Sequence, residues 1–255
     1  MKGLKQRLQD GEIVIGTFLS LGNAITTEIV ANAGFDWVVI DLEHGLGTEA
    51  DVAGQLLGLK GTGVSGIIRV ESSQKQRIHR VLDLGANGIM CPQISGADEA
   101  RTVVRGMRYP PDGNRGVAKM TRATRYGEDF DIYQKNIPDT LIGIIQIETM
   151  ASLDHLDEIA AIEGVDVLFV GPSDLSMAMG IFGQLDHPQF ITALNRVITA
   201  AKKANKQVGI LLPTPAGMKK YVDMGIHFIA CGTDASFLTR TARQTAADMR
   251  SIMLA

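Results

Sequence analysis

Eight short apolar strings recur along this chain, each bounded by glycine, aspartate or asparagine, and they constrain its fold more than any other feature. They are Ile13–Ser20, Trp37–His44, Gly66–Val70, Gly88–Gln93, Leu141–Glu148, Val165–Asp174, Gln207–Pro213 and His227–Asp234. Several are almost continuously hydrophobic. A strand with one wet face would alternate, so these read as strands buried on both faces, as in a parallel sheet. Amphipathic stretches lie between them, among them Thr48–Lys60, Lys75–Gly85, Ala97–Met107 and Gln189–Asn205. Gly34, Gly85 and Gly225 stand where a helix would stop shortly before the next strand. Eight such units over 255 residues predict a single α/β domain, 1–255, folded as a TIM (β/α)8 barrel. A doubly wound sheet would need a nucleotide fingerprint after its first strand, whereas the short match Gly45–Ala50 follows the second. Residues Arg108–Pro138 hold no strand-like string and are expected to form a long loop or excursion between strands four and five.

Bulk properties exclude several partners. A net charge of −3 gives no global field for nucleic acid or an anionic membrane. No apolar run approaches the roughly 18–20 residues a membrane span needs. The N-terminal MKGLKQRLQDGE has no apolar core, so no signal peptide is expected. Cys91 and Cys231 lie in apolar runs without CxxC spacing, which fits a reduced, cytoplasmic setting. The basic segment Arg101–Arg125 has only Tyr109 as an interleaved aromatic, a weak nucleic-acid signal. Arg101, Arg105 and Arg108 read as a solvated helix face. Arg115, Lys119 and Arg122 follow a Pro-Pro-Asp-Gly turn, from which they could reach an anionic substrate tail or another subunit.

In a barrel of this kind the chemistry sits at the C-terminal strand ends. Here those ends carry Asp41, Glu43, His44, Arg69, Gln146, Glu148, Ser173, Asp174 and Asp234. Charges at the rim of an apolar barrel are expensive unless paired or bound to metal. Glu148 and Asp174, with no His or Cys beside them, form an oxygen set suited to a hard divalent cation; they could equally be a helix cap or ion-pair partners. His44 with Asp41 suits a general base held by a carboxylate, or a rim histidine bonded to Glu43 or Asp41. Arg69 could bind a carboxylate or a developing enolate oxygen, or simply pair with Glu71 or another rim carboxylate. Gly171-Pro172-Ser173-Asp174 opens a helix and could cradle an anion, or be an ordinary turn. All eleven lysines lie outside the strand strings, so Schiff-base chemistry on a barrel lysine has no candidate.

Taken together, these strings resemble the HpcH/HpaI aldolase family, in particular the 4-hydroxy-2-oxoheptanedioate and 2-keto-3-deoxy-sugar-acid aldolases. The resemblance rests on Val38–Gly45, Tyr109–Gly116, Gln146–Thr149 and Gly171–Ser176, and covers nearly the whole chain. It implies a class II pyruvate aldolase that uses Mg²⁺, Mn²⁺ or Co²⁺ and no organic cofactor, acting on a small 2-oxo acid and an aldehyde. By resemblance, Glu148 and Asp174 are the metal ligands, and His44 with Asp41 is the acid/base dyad. Arg69 steadies the enolate, while Gln146, Ser173, the Asp174 backbone and Leu212 line the substrate. Asp83 and Arg122 are implied contributions to a neighbouring subunit's site. A homohexamer built as a trimer of dimers is also implied, with Thr239–Ala255 as an exchanged last helix. Two alternatives stay open: a related metal-dependent enolate lyase of phosphoenolpyruvate or malyl-CoA type, and a non-catalytic barrel that binds a 2-oxo acid.

Overall fold

Eight parallel strands close on themselves in sequence order: β1 Val14–Leu19, β2 Trp37–Asp41, β3 Ser65–Arg69, β4 Gly88–Cys91, β5 Ile142–Ile147, β6 Val167–Val170, β7 Gln207–Leu212 and β8 Phe228–Thr233. The structure is a computed structural model and describes residues 2–253. Each strand lies within one of the predicted strings, except that β3 starts one residue before its string, at Ser65. The expected helix stops are present too: Gly34, Gly85 and Gly225 take φ of +96°, +93° and +92°, a region glycine enters without steric cost.

Side chains alternate between two cores, as the two-residue period of a strand requires. Val38, Ile40 and Ile68 point outward to the helices. Phe18, Trp37, Val39, Ile67, Met90, Ile144, Phe169 and Phe228 fill the barrel interior. Trp37 stacks on Phe228 with ring centroids 3.8 Å apart, and Phe169 meets Phe228 edge-on at 6.2 Å. Space for these rings comes from Gly16 and Gly209, where a Cβ would overlap the rings of Trp37 and Phe169. The N-terminal helix Leu4–Gln9 closes the bottom by adding Leu4 and Leu8 to this core. Lys5 Nζ anchors it, donating to the Leu141 carbonyl and to Asp166, both at 3.0 Å.

The alternation also sets the mouth. Counting upward by two, Trp37 and Val39 lead to Asp41, Ile67 to Arg69, and Ile142 and Ile144 to Gln146. Polar residues thus occupy the top of columns whose lower positions are apolar. Asp41 and Arg69 are register partners on adjacent strands. At the seam, β1 and β8 pair with an irregularity between Gly16 and Phe18. Above it Asp234 accepts from Ser20 N (2.8 Å), Ser20 Oγ (3.0 Å) and Leu21 N (3.3 Å), tying the two loop ends together.

Two features differ from the sequence reading. The stretch after strand four is not merely loop: Phe130–Thr140 is a helix that buries Ile137 and packs Phe130 and Tyr133 on the core. The last helix begins earlier than expected, at Asp234, and runs to Met253; Leu254 and Ala255 of the expected Thr239–Ala255 helix lie outside the described residues. Of that helix only Asp234 is buried, while Leu238, Met249, Ile252 and Met253 are exposed.

Candidate active site

The mouth holds two groups of polar side chains. The first is built on β2 and β3. Arg69 donates through Nε and Nη2 to the two oxygens of Asp41, at 2.9 and 2.6 Å, a bidentate pair with both side chains almost fully buried. Asp41 Oδ1 also accepts from the backbone N–H of Glu43 (3.0 Å) and His44 (3.2 Å), so it shapes the loop after β2. Arg69 Nη1 lies 2.9 Å from Glu43 Oε2 without hydrogen-bond alignment, a charge contact alone. Below, the guanidinium rests 5.1 Å over the Phe18 ring, so the uppermost interior aromatic is the floor of the site. Burial pushes the Glu43 carboxyl up, against the pull of Arg69.

This geometry differs from the expected Asp41–His44 dyad. Asp41 meets His44 only through its backbone N–H. The imidazole is 67% exposed, and its nearest carboxylate is Glu43, with Nε2 to Oε2 at 3.8 Å. Both oxygens of Asp41 accept from Arg69, and neither bonds the imidazole ring. Arg69 pairs with Asp41 and Glu43; Glu71 pairs with Arg77 instead.

The second group surrounds Glu148, the residue after β5. Its carboxylate is 2% exposed. Oε1 accepts from the backbone N–H (2.7 Å) and the side-chain Nε2 (3.2 Å) of Gln93, and Oε2 accepts from Gln146 Nε2 at 2.7 Å. Burial, with the negative charges of Asp174 and Glu43 nearby, holds this carboxyl up to about 7. Gly171 makes room for it, since a Cβ there would overlap Oε2. Asp174 lies in the first turn of the helix Pro172–Ala178, exposed, and its charge is felt by both Glu148 and Glu43. Beside it, Pro172, Ser173, Leu185, Leu211, Leu212 and Thr233 line part of a cavity of about 510 Å³. Ser173 and Leu212 therefore share one wall region next to the charged mouth.

A divalent cation fits this donor set. Among the described residues no group of three or more His, Cys, Asp or Glu side chains could hold a metal ion; an ion on Glu148 and Asp174 would need water and substrate to complete its coordination. A carboxyl held up by burial, and further by neighbouring negative charge, is one that a cation would relieve. The Gln146 amide oxygen is also buried beside it without a partner. All of these are oxygen donors, as hard cations require.

Asp83 and Arg122 lie outside this mouth. Asp83 closes the helix Lys75–Asp83 and accepts from Arg115 Nη2 at 2.6 Å. Arg122 donates to the carbonyls of Leu84 and Leu56, at 2.7 and 3.1 Å. Two residues of the site were not foreseen. Glu43 stood in the Asp41–Gly45 string without a role of its own. Gln93 carried no local signal, because its importance comes from a left-handed backbone turn.

The chain's likeness to known proteins follows the same outline. A family model described as HpcH/HpaI aldolase/citrate lyase matches residues 14–241. A hydroxypyruvate/pyruvate aldolase of Roseovarius nubinhibens is 37% identical over 248 residues, 97% of this chain and 96% of that protein. A 5-keto-4-deoxy-D-glucarate aldolase of Klebsiella pneumoniae is 37% identical over 244 residues, covering 96% and 94%. The crystal structure of a HpcH/HpaI aldolase/citrate lyase family protein from Burkholderia cenocepacia superposes with a TM-score of 0.91 at 38% identity, covering 97% of this chain and 98% of that one.

Proposed function

The chain belongs to the HpcH/HpaI aldolase/citrate lyase family, and from that premise we propose that it is a class II, metal-dependent pyruvate aldolase. As a carbon–carbon lyase it cleaves a 4-hydroxy-2-oxo acid reversibly to pyruvate and an aldehyde. The two related aldolases support this reaction class. A 2-keto-3-deoxy sugar acid or 4-hydroxy-2-oxoheptanedioate is the substrate class we assign. The observation that carries the reading is the pairing, at one barrel mouth, of a fixed cation, Arg69, with a buried carboxylate, Glu148.

Glu148 and Asp174 would hold a Mg²⁺, Mn²⁺ or Co²⁺ ion. When bound, that ion supplies electrophilic pull on the 2-oxo group of the substrate. The chain's own residues do the rest. Ser173, the Asp174 backbone and Leu212 receive the pyruvyl end, with Gln146 beside them. His44 takes the proton of the C4 hydroxyl. As the C3–C4 bond breaks, the aldehyde leaves and its bonding electrons pass toward the 2-oxo oxygen. Arg69, locked in place by Asp41, faces that charge without having to reorganise, which is what such stabilisation requires. A proton returned to C3 completes pyruvate.

The same reading covers assembly and setting. The barrel functions as a homohexamer, a trimer of dimers that exchange the helix Asp234–Met253, and the exposure of that helix's apolar side chains supports this. In that assembly Asp83, whose side chain is 27% exposed, and Arg122 approach a neighbouring subunit's mouth. Free Cys91 and Cys231 are consistent with a cytoplasmic enzyme. No described helix is long and apolar enough to cross a membrane.

Turnover of a panel of racemic 4-hydroxy-2-oxo acids, read as pyruvate by coupled lactate dehydrogenase, tests the class. Pyruvate from at least one member supports it. Binding without turnover across the panel would move the assignment to a 2-oxo-acid-binding barrel.

A further inference from the structure

Gln93 is exposed at the rim, yet it makes two of the three hydrogen bonds that hold the buried carboxylate of Glu148. Its backbone takes φ +55°, in the left-handed region that residues with a Cβ usually avoid. The cause is local. β4 ends at Cys91, and the next residue, Pro92, has no N–H to offer the ladder. The left-handed turn at residue 93 then directs the first available N–H across to the end of β5. In the same conformation the side-chain amide folds back onto the same oxygen. Gly or Asn would adopt this backbone more easily; neither places an amide at the end of a two-methylene stem.

We propose that Gln93 is a positioning residue for Glu148: it clamps Oε1 from two directions, so that the carboxylate presents Oε2 to a cation in a fixed orientation. The proposal rests on Glu148 being a metal ligand. Gln146 holds the opposite oxygen, so the two glutamines fix the carboxylate plane from both sides. Partners of this kind, behind the ligands themselves, set metal affinity through orientation.

The test is titration of metal-stripped protein with Mn²⁺, followed by the electron paramagnetic resonance signal of free Mn²⁺, together with the melting temperature of the metal-free form. Gln93→Met keeps the length, the strained backbone and the backbone N–H bond to Oε1, but removes the side-chain donor. Gln93→Gly removes the same side-chain donor and relieves the backbone, again leaving the backbone N–H in place. Both are expected to bind Mn²⁺ roughly tenfold or more weakly than wild type, while metal-free Gln93→Gly melts at the same temperature or higher. Affinity within twofold of wild type in both variants would overturn the positioning role alone. So would weakened affinity matched by a large loss of metal-free stability in both, which would mark a folding defect. Wild type that binds no Mn²⁺, or Glu148→Gln that binds it as well as wild type does, would overturn the metal reading and this inference with it.

Discussion

Both oxygens of Asp41 are engaged by Arg69, and one of them also by two backbone N–H groups. Asp41 is thus a buried structural anchor as much as a site residue, and its loss should differ in kind from the loss of His44. His44→Ala is expected to lower kcat by about 100-fold or more while leaving urea stability unchanged, since the imidazole is exposed and is the base of the proposed mechanism. Asp41→Ala is expected to cost about 3–5 kcal/mol of stability, because it leaves the buried Arg69 guanidinium without its main partner. Equal stability losses in the two variants would contradict this division. Glu148 gives a second prediction. Its folded carboxyl titrates near 7 against an ordinary 4.5. Between those values the metal-free folded state holds a proton that the unfolded chain has released. Stability therefore falls as pH rises through that window, and levels off above 7. Relative to Glu148→Gln, metal-free wild type should lose up to about 3 kcal/mol between pH 4.5 and 7; excess Mn²⁺ should reverse the order at pH 7.5. A difference that is flat with pH would show that Glu148 is not held in this way. The strand-end positions of Asp41, Arg69 and Glu148 were legible from sequence, because charge at the end of an apolar string has few bland explanations. The partners were not: the spacing of Asp41 and His44 suggested a side-chain dyad, and only the fold reveals that Arg69 occupies the carboxylate.

At the scale of elements, the strands were readable because burial on both faces leaves unbroken apolar strings. The helix Phe130–Thr140 was not. It contains Asn136 and Pro138 and has a narrow apolar face of Phe130, Tyr133 and Ile137, a pattern that a loop of mixed composition also produces. The N-terminal helix Leu4–Gln9 was likewise visible only as a charged, amphipathic start. Its role depends on the open bottom of a barrel 100 or more residues away in sequence, where Leu141 and Asp166 receive Lys5. Leu8 is 2% exposed inside that plug. Leu8→Ala is expected to destabilise the protein by about 2–5 kcal/mol in urea unfolding, with kcat per folded enzyme unchanged, because the plug lies at the opposite end from the chemistry. A kcat that falls in step with stability would contradict that separation.

Among the described residues, apolar side chains are left exposed around the last helix. In a (β/α)8 barrel a helix follows each strand and packs on the sheet. Here the helix after β8 has Leu238, Met249, Ile252 and Met253 exposed, and Ile13, before β1, and Ile15, within it, are 43% and 37% exposed. Apolar area of this extent is what association covers. Light scattering should find an oligomer for the full chain and a smaller species for a chain ending at Ala235; a full-length monomer at micromolar concentration would contradict the exchanged helix. The proposed activity of this mouth is metal-dependent retro-aldol cleavage. The most direct measurement is pyruvate release from a turned-over 4-hydroxy-2-oxo acid by wild type and Glu148→Gln, before EDTA, after EDTA, and after Mn²⁺ is restored. Wild-type activity is expected to vanish with EDTA and return with Mn²⁺, and the variant to stay at least 100-fold below wild type throughout. Pyruvate release that persists in EDTA, or a Glu148→Gln enzyme as active as wild type, would contradict it.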